Sequence, residues 1–133
     1  MDTFVQVPKG ITNIPRWEEH CRKIHARAME LVEGKAGVIQ TALVLQHLML
    51  SARLEKDKDL LVFQRICADT LSLPVGSERQ YWAKSALERE DAKIQAVEVR
   101  WRKKAIVAAT RIAERYRWAL AARQRRRASG NVV

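Results

Sequence analysis

Residues 77–128 contain no glycine and no proline, and this long uninterrupted stretch limits the fold more than any other feature. The stretch is rich in Ala, Glu, Arg, Lys and Leu, which favour helix, and no residue within it marks a stop. Ser77 and Gln80 have the spacing of a capping box, and Gly130 follows the arginine-rich end. An unbroken helix of this length would run about 75 Å, whereas a globule of 133 residues has a radius of gyration of about 14 Å. We therefore expect one long helix from about 77 to 128, part of which projects.

The preceding residues predict three shorter helices. Residues 1–13 carry Pro8 and Gly10 and indicate an extended arm, after which a first helix begins near Pro15 and ends at Gly34. A second helix, about 36–54, is apolar nearly all round and is expected to be central. A third, about 60–71, ends before the helix-breaking residues 73–76.

The fold class that these patterns predict is all-α and helical-bundle-like. Three shorter helices pack on the first half of the long C-terminal helix, and its basic end projects. The chain is divided accordingly into four parts: 1–13, an extended N-terminal arm; 14–98, a charge-neutral helical core; 99–128, a basic helical extension continuous with helix 77–98; and 129–133, a flexible tail.

The positive charge is confined to the last quarter of the chain. Residues 1–98 hold 14 Lys/Arg and 14 Asp/Glu, so their net charge is zero. Residues 99–133 hold 11 Lys/Arg against Glu114 as their one acidic residue, which accounts for the whole formal charge of +10. This asymmetry favours an anionic partner: nucleic acid, a membrane surface or an acidic protein. A solvated, salt-screened helix face is the alternative without a partner.

The long helix divides into three faces at about 100° per residue. One apolar stripe recurs every eleven residues at Ala83, Ile94, Ala105 and Tyr116, and a weaker one every seven residues from Val99. The third face is cationic. Two apolar strips predict that the C-terminal half packs against other helices, from this chain or from a second copy, with the basic face outward.

The basic face is the main functional hypothesis. Cations along one helix face can follow phosphates, and a nearby aromatic ring can stack on an exposed base. No helix-turn-helix, zinc-finger or RNP-type motif accompanies the face, so we expect no base-specific readout. The predicted protein is a non-catalytic nucleic-acid-binding accessory or assembly protein, for DNA or RNA. Its candidate binding residues are Arg100, Lys104, Arg111, Arg115, Trp118, Arg123, Arg125, Arg126 and Arg127.

The alternative hypothesis is a structural or adaptor subunit of a larger assembly. Its long helix would dock on partner protein or form a homo-oligomer, and its arginines would meet acidic surfaces. A tryptophan outside the main stripe is a further candidate anchor. The candidate interface residues are Val99, Ile106, Ala113, Leu120 and Trp82.

Other functions have weaker signals. Cys21 and His25 share a helix face, but neither cysteine has the close spacing of a zinc site, so we expect no metal and no cofactor. The five glycines are scattered, which argues against a phosphate loop. The carboxylates Glu88, Glu90 and Asp91 lie among basic residues and suit surface pairs, so we expect neither an enzyme nor a small-molecule substrate. Alanine dominates the apolar strips, which argues against a membrane partner. Two cysteines and no secretory signal predict a soluble, intracellular protein.

Overall fold

The computed structural model describes residues 5–122, and within that range the chain is all-helical with no strand. Four α-helices pack together, joined by short connections and one 3-10 helix. The predicted fold class, a helical bundle with a long C-terminal helix, is confirmed. The elements are α1 (Ile14–Val32), α2 (Val38–Ser51), α3 (Lys58–Asp69), the 3-10 helix (Ser77–Tyr81) and α4 (Lys84–Arg115).

Local capping sets the ends of the first three helices. The Asn13 side chain accepts the Arg16 N–H at 3.0 Å, and Pro15 occupies the first turn of α1. Gly34 adopts φ 75° just after the last turn of α1, the left-handed conformation that commonly ends a helix. Asp57 begins α3 by accepting the N–H groups of two residues, Asp59 at 3.0 Å and Leu60 at 3.2 Å.

The long helix begins later than the sequence predicts. Ser77 to Tyr81 form the 3-10 helix, and Ala83 is extended, so that α4 starts at Lys84. Local contacts stabilise this 3-10 turn at a position where the sequence predicts α-helix. The Glu78 carboxylate accepts the Gly76 N–H at 3.1 Å, and Arg79 donates to the Pro74 carbonyl at 2.9 Å.

The long helix also ends earlier, at Arg115, and residues 118–122 are helical again after a turn. In a continuous helix, Tyr116 and Trp118 would lie about 200° apart. The turn instead lets Tyr116 donate to Asp57 at 2.6 Å while Trp118 stacks on Trp17 with ring centroids 5.5 Å apart. The predicted continuation over 123–128 lies outside the described residues.

The packed part of α4 is its C-terminal half, not the first half that the sequence led us to expect. No side chain between 84 and 96 is fully buried, whereas six small or branched residues from Val97 onward are buried in the bundle. The reason is composition: Leu87 and Ile94 are the large apolar residues of the first half, and Glu90 interrupts them. The buried residues are Val97, Ala105, Ala108, Ala109, Ile112 and Ala113.

Only one side of α2 is buried in the bundle, although the sequence predicts that the whole helix is central. Its inner face is fully buried, with Ala42 and Leu45 both at 0% exposure. Its outer face leaves Leu43, Val44 and Leu50 exposed to solvent. The other helices of the bundle therefore cover only part of the apolar surface of α2. No helix within residues 5–122 is long and apolar enough to cross a membrane.

A carboxylate from α4 caps α2. Glu98 accepts the Val38 N–H at 3.0 Å and the Ile39 N–H at 2.8 Å, and Gly37 supplies no side chain to do so. A negative group at a helix N-terminus satisfies free N–H donors and meets the positive end of the helix dipole. This contact connects residues that are distant in sequence and helps to fix α4 against α2.

Replacing Glu98 by Ala should lower the free energy of unfolding by about 1–2 kcal/mol, because two N–H groups of α2 lose their acceptor. Chemical denaturation measures this loss. Glu114→Ala is the matched control, since the Glu114 side chain is exposed on the same helix and pairs with no described residue. Equal stability of the two variants would contradict the capping role.

Candidate functional site

The predicted basic face of α4 lies along the seam with α3, and aspartates of α3 meet it. Near one end, Asp69 accepts from Arg100 at 3.3 Å and from the Trp101 indole N–H at 2.7 Å. Near the other end, Arg111 lies 3.6 Å from Asp59. The basic face is therefore partly neutralised within the protein, and Arg100 and Arg111 have acidic neighbours of their own.

Arg115 belongs to a buried ionic network. Its guanidinium donates to both oxygens of Asp57, at 2.8 and 2.9 Å, and to Asp59 at 2.7 Å. The side chains are 29%, 7% and 11% exposed respectively. Burial lowers the pKa of Arg115, but the two aspartates outweigh it and the net shift is upward. To bind a phosphate, Arg115 would have to give up its pairs with two carboxylates, so we leave it out of the proposed binding surface.

Tyr116 completes the same network. Its hydroxyl donates to Asp57 at 2.6 Å, and its side chain is almost fully buried. Burial raises the pKa of Tyr116, and the hydrogen bond to the Asp57 carboxylate raises it further. The phenol therefore stays protonated and acts as a fixed donor.

Three consecutive cations of α4 lie mostly outside the basic face that the sequence predicts. Arg102, Lys103 and Lys104 are exposed, and none forms an ion pair with a residue in the described range. Lys104 places its ammonium 5.7 Å from the centre of the Trp101 ring. Successive residues are about 100° apart, so the three side chains fan across the outward half of the helix. We call Arg102, Lys103 and Lys104 the basic fan.

Helical spacing hid two of these residues. The predicted basic face consists of cations that recur along one side of the helix, and Arg102 and Lys103 fall outside it. The signal that could have found them is the run Arg-Lys-Lys itself, which has no acidic residue within one turn on its C-terminal side. Of the other candidates, Arg123, Arg125, Arg126 and Arg127 lie outside the described residues.

Trp118, a candidate for base stacking, packs inside the protein. Its ring stacks on Trp17 with an interplanar angle of 26°, and Trp17 donates its indole N–H to the Ala52 carbonyl at 3.0 Å. This aromatic pair closes one end of the bundle. Its packing leaves no open ring face for a base on the Trp17 side.

The candidate interface residues have two different environments. Val99 is 59% exposed, and Ile106, Leu120 and Trp82 are exposed as well, whereas Ala113 is buried. At the buried position, α1 packs against α4, and the His25 Nδ1 lies 2.7 Å from the Ala113 carbonyl oxygen. Exposed Val107 was missed because its spacing fits neither stripe.

The arrangement of residues 5–122 favours neither a metal site nor a reactive thiol. No group of three or more His, Cys, Asp or Glu side chains in that range is arranged to hold a metal ion. Both cysteines are buried and unpaired, and burial raises the pKa of Cys21 to about 12. A buried thiol of this kind is a poor nucleophile.

Comparison with known proteins gives no match: no protein-family model, no curated protein and no solved structure resembles this chain significantly.

Replacing Arg115 by Ala should lower the free energy of unfolding by about 2–3 kcal/mol, because Asp57 and Asp59 would lose their shared cation. The partial exposure of Arg115 keeps the loss below that of a fully buried pair. Arg111→Ala is the control, since Arg111 is 66% exposed and only 3.6 Å from Asp59, and it should cost less. Denaturant titration of both variants measures the difference. An Arg115 variant as stable as the Arg111 variant would contradict the network's structural role.

Proposed function

We propose that this protein is a non-catalytic nucleic-acid-binding accessory or assembly protein that contacts phosphates through α4 without reading base sequence. The observation that supports this most is the basic fan: three consecutive exposed cations with no carboxylate partner in residues 5–122. Cations that already pair with protein carboxylates must give up those pairs to bind phosphate. The basic fan has no such pairs to give up.

The charge distribution supports the same proposal. Asp57, Asp59 and Asp69, which contact the basic face, belong to residues 1–98, whose net charge is zero. The excess charge of +10 therefore already takes these aspartates into account. Phosphate neutralisation releases counterions, and this release is independent of base sequence. The fan spreads its charges around the helix instead of presenting a flat reading surface, which favours contact with a backbone that crosses α4.

The arginine-rich end extends the proposal in sequence. Arg123, Arg125, Arg126 and Arg127 follow the described residues and carry no acidic neighbour up to Val133. Arginine-rich segments bind nucleic-acid backbones by charge and by stacking. We include these four residues as a second set of phosphate contacts beside the basic fan.

The triple variant Arg102→Gln, Lys103→Gln, Lys104→Gln should weaken nucleic-acid binding and flatten its salt dependence by up to about three units of slope. Fluorescence anisotropy with a mixed-sequence duplex and single strand, at several salt concentrations, measures both quantities. The control is Lys84→Gln, Arg89→Gln, Lys93→Gln, which removes the same charge from the exposed first half of α4. Equal loss in both triple variants would show that only net charge matters and would count against the fan.

The second candidate function is a structural subunit that pairs with a second copy of itself through the outward face of α4. Between residues 84 and 96 this helix has no fully buried side chain. Ala92, Ala96 and Val99 follow three–four spacing on the exposed side, with Glu88 before them and Lys103 after them. Small residues between opposite charges favour an antiparallel crossing near Ala96, where Glu88 of each copy would lie beside Lys103 of the other.

If this pairing occurs, Glu88→Lys should raise the dissociation constant of the dimer about tenfold, because two attractive contacts become repulsive. Adding Lys103→Glu should restore the dimer by reversing both charges. Sedimentation equilibrium over a range of concentrations measures this. Glu114→Lys is the control, since Glu114 is on the same helix but beyond the reach of an antiparallel copy centred on Ala96. A swap variant that stays as weak as Glu88→Lys would contradict the proposed crossing.

A further inference from the structure

A pocket of about 450 Å³ opens between the N-terminal arm, the start of α1 and the end of α2. It lies at the end of the bundle that the Trp17–Trp118 pair closes, and Trp17 forms part of its wall. This volume is within the range of small-molecule sites in proteins. The pocket shares no residue with the basic fan.

The lining is cationic and rich in hydrogen-bond donors. Two guanidinium groups, Arg16 and Arg53, two imidazoles, His20 and His47, and the Ser51 hydroxyl line it together. No carboxylate of the described residues lines the pocket. Arginines that face a common space without counter-charge create a positive potential that an anion would relieve.

The position of Arg53 depends on the backbone conformation at two residues, Arg53 itself and Gly10. Arg53 has φ 55°, in the left-handed region, and is the only non-glycine residue with positive φ among residues 5–122. Gly10 opposite it has φ 93°, and a Cβ there would overlap the Arg53 guanidinium. Glycine adopts a positive φ readily, whereas the left-handed Arg53 follows the end of α2, where the Leu54 N–H donates to the Met49 carbonyl at 2.9 Å.

His20, which lines the pocket, also carries an unsatisfied polar atom. Its Nδ1 is buried and has no hydrogen-bond partner among the described residues. Burial lowers the pKa of His20, and the charges of Arg16, Lys23 and His47 lower it further, against a smaller opposite effect of Glu19. A buried nitrogen without a partner calls for a water or a ligand atom.

We propose that this pocket binds a phosphomonoester dianion, with Arg16 and Arg53 as its principal charge partners and the imidazoles and Ser51 as further donors. Several converging donors exceed what a carboxylate needs and suit the oxygens of a terminal phosphate. The volume leaves room for an organic group beyond the phosphate. This inference does not depend on the proposed function, because the basic fan and the pocket are separate groups of residues.

The first test uses the full chain and inorganic phosphate, with sodium chloride at matched ionic strength as the blank. Phosphate should raise the thermal midpoint, shift the His20 imidazole signals in NMR spectra and raise the His20 pKa. The variant Arg16→Gln, Arg53→Gly should bind phosphate at least about tenfold more weakly. Glycine suits the left-handed backbone at position 53, so this variant should fold.

The control variant Lys56→Gln, Arg65→Gln removes two exposed cations that do not line the pocket. Its phosphate affinity should equal that of the wild type. An equal loss in the two double variants would overturn the proposal, because it would trace binding to net charge. No response of the wild type up to about 10 mM phosphate, far weaker than ordinary ligand affinities, would also overturn it.

Two further ligands distinguish the source of the phosphate. A nucleoside monophosphate that binds the wild type but not the Arg16/Arg53 variant would support a free small ligand. A single strand with a 5′-phosphate that binds more tightly than the same strand with a 5′-hydroxyl, with the preference lost in that variant, would support a strand end. Both outcomes place a phosphomonoester in the pocket. The failure of the basic-fan variant to change strand affinity would count against the proposed function alone.

Discussion

The ionic network around Asp57 is the interaction on which the arrangement of α3 and α4 depends. Asp57 begins α3 through its contacts with backbone N–H groups, and the same carboxylate receives Arg115 and Tyr116 from the end of α4. Taking these charges out of water is costly, and the cost is offset only because the donors match the carboxylate oxygens closely. At the opposite end of the seam, Asp69 holds Arg100 and Trp101. Because the Asp57 and Asp69 contacts lie at opposite ends of the antiparallel helices, together they fix the register of α3 against α4.

This structural use of charge changes how the basic C-terminal half should be interpreted. A cation that holds two helices together contributes to the net charge, but it presents less positive potential to a ligand than an unpaired one. Arg115 is the clearest case, because both of its partners are nearly buried. The outward cations Arg102 and Lys103 contribute nothing to the register and remain available. Composition therefore indicates an anionic partner, while the contacts decide which cations can meet it.

The sequence predicted what local chemistry controls and missed what long-range contacts control. Gly34 ends α1 as expected, since a left-handed glycine is a local property. The capping-box spacing of Ser77 and Gln80 predicted an α-helix start that the structure does not use, because Arg79 instead pairs with Asp91, about two turns into α4. The pocket could not be predicted, since Arg16 and Arg53 are far apart in sequence and nothing in the residue order reveals the left-handed backbone at Arg53.

The two proposed uses of α4 are thermodynamically connected through Lys103. In the antiparallel pair, Lys103 of one copy faces Glu88 of the other, while in nucleic-acid binding the same ammonium faces a phosphate. When two ligands compete for one group, each lowers the affinity of the other by the same factor. Pairing would also place Glu88 near the basic fan and reduce its positive potential. A chain that used both contacts would therefore exchange one for the other, and self-association would regulate nucleic-acid binding.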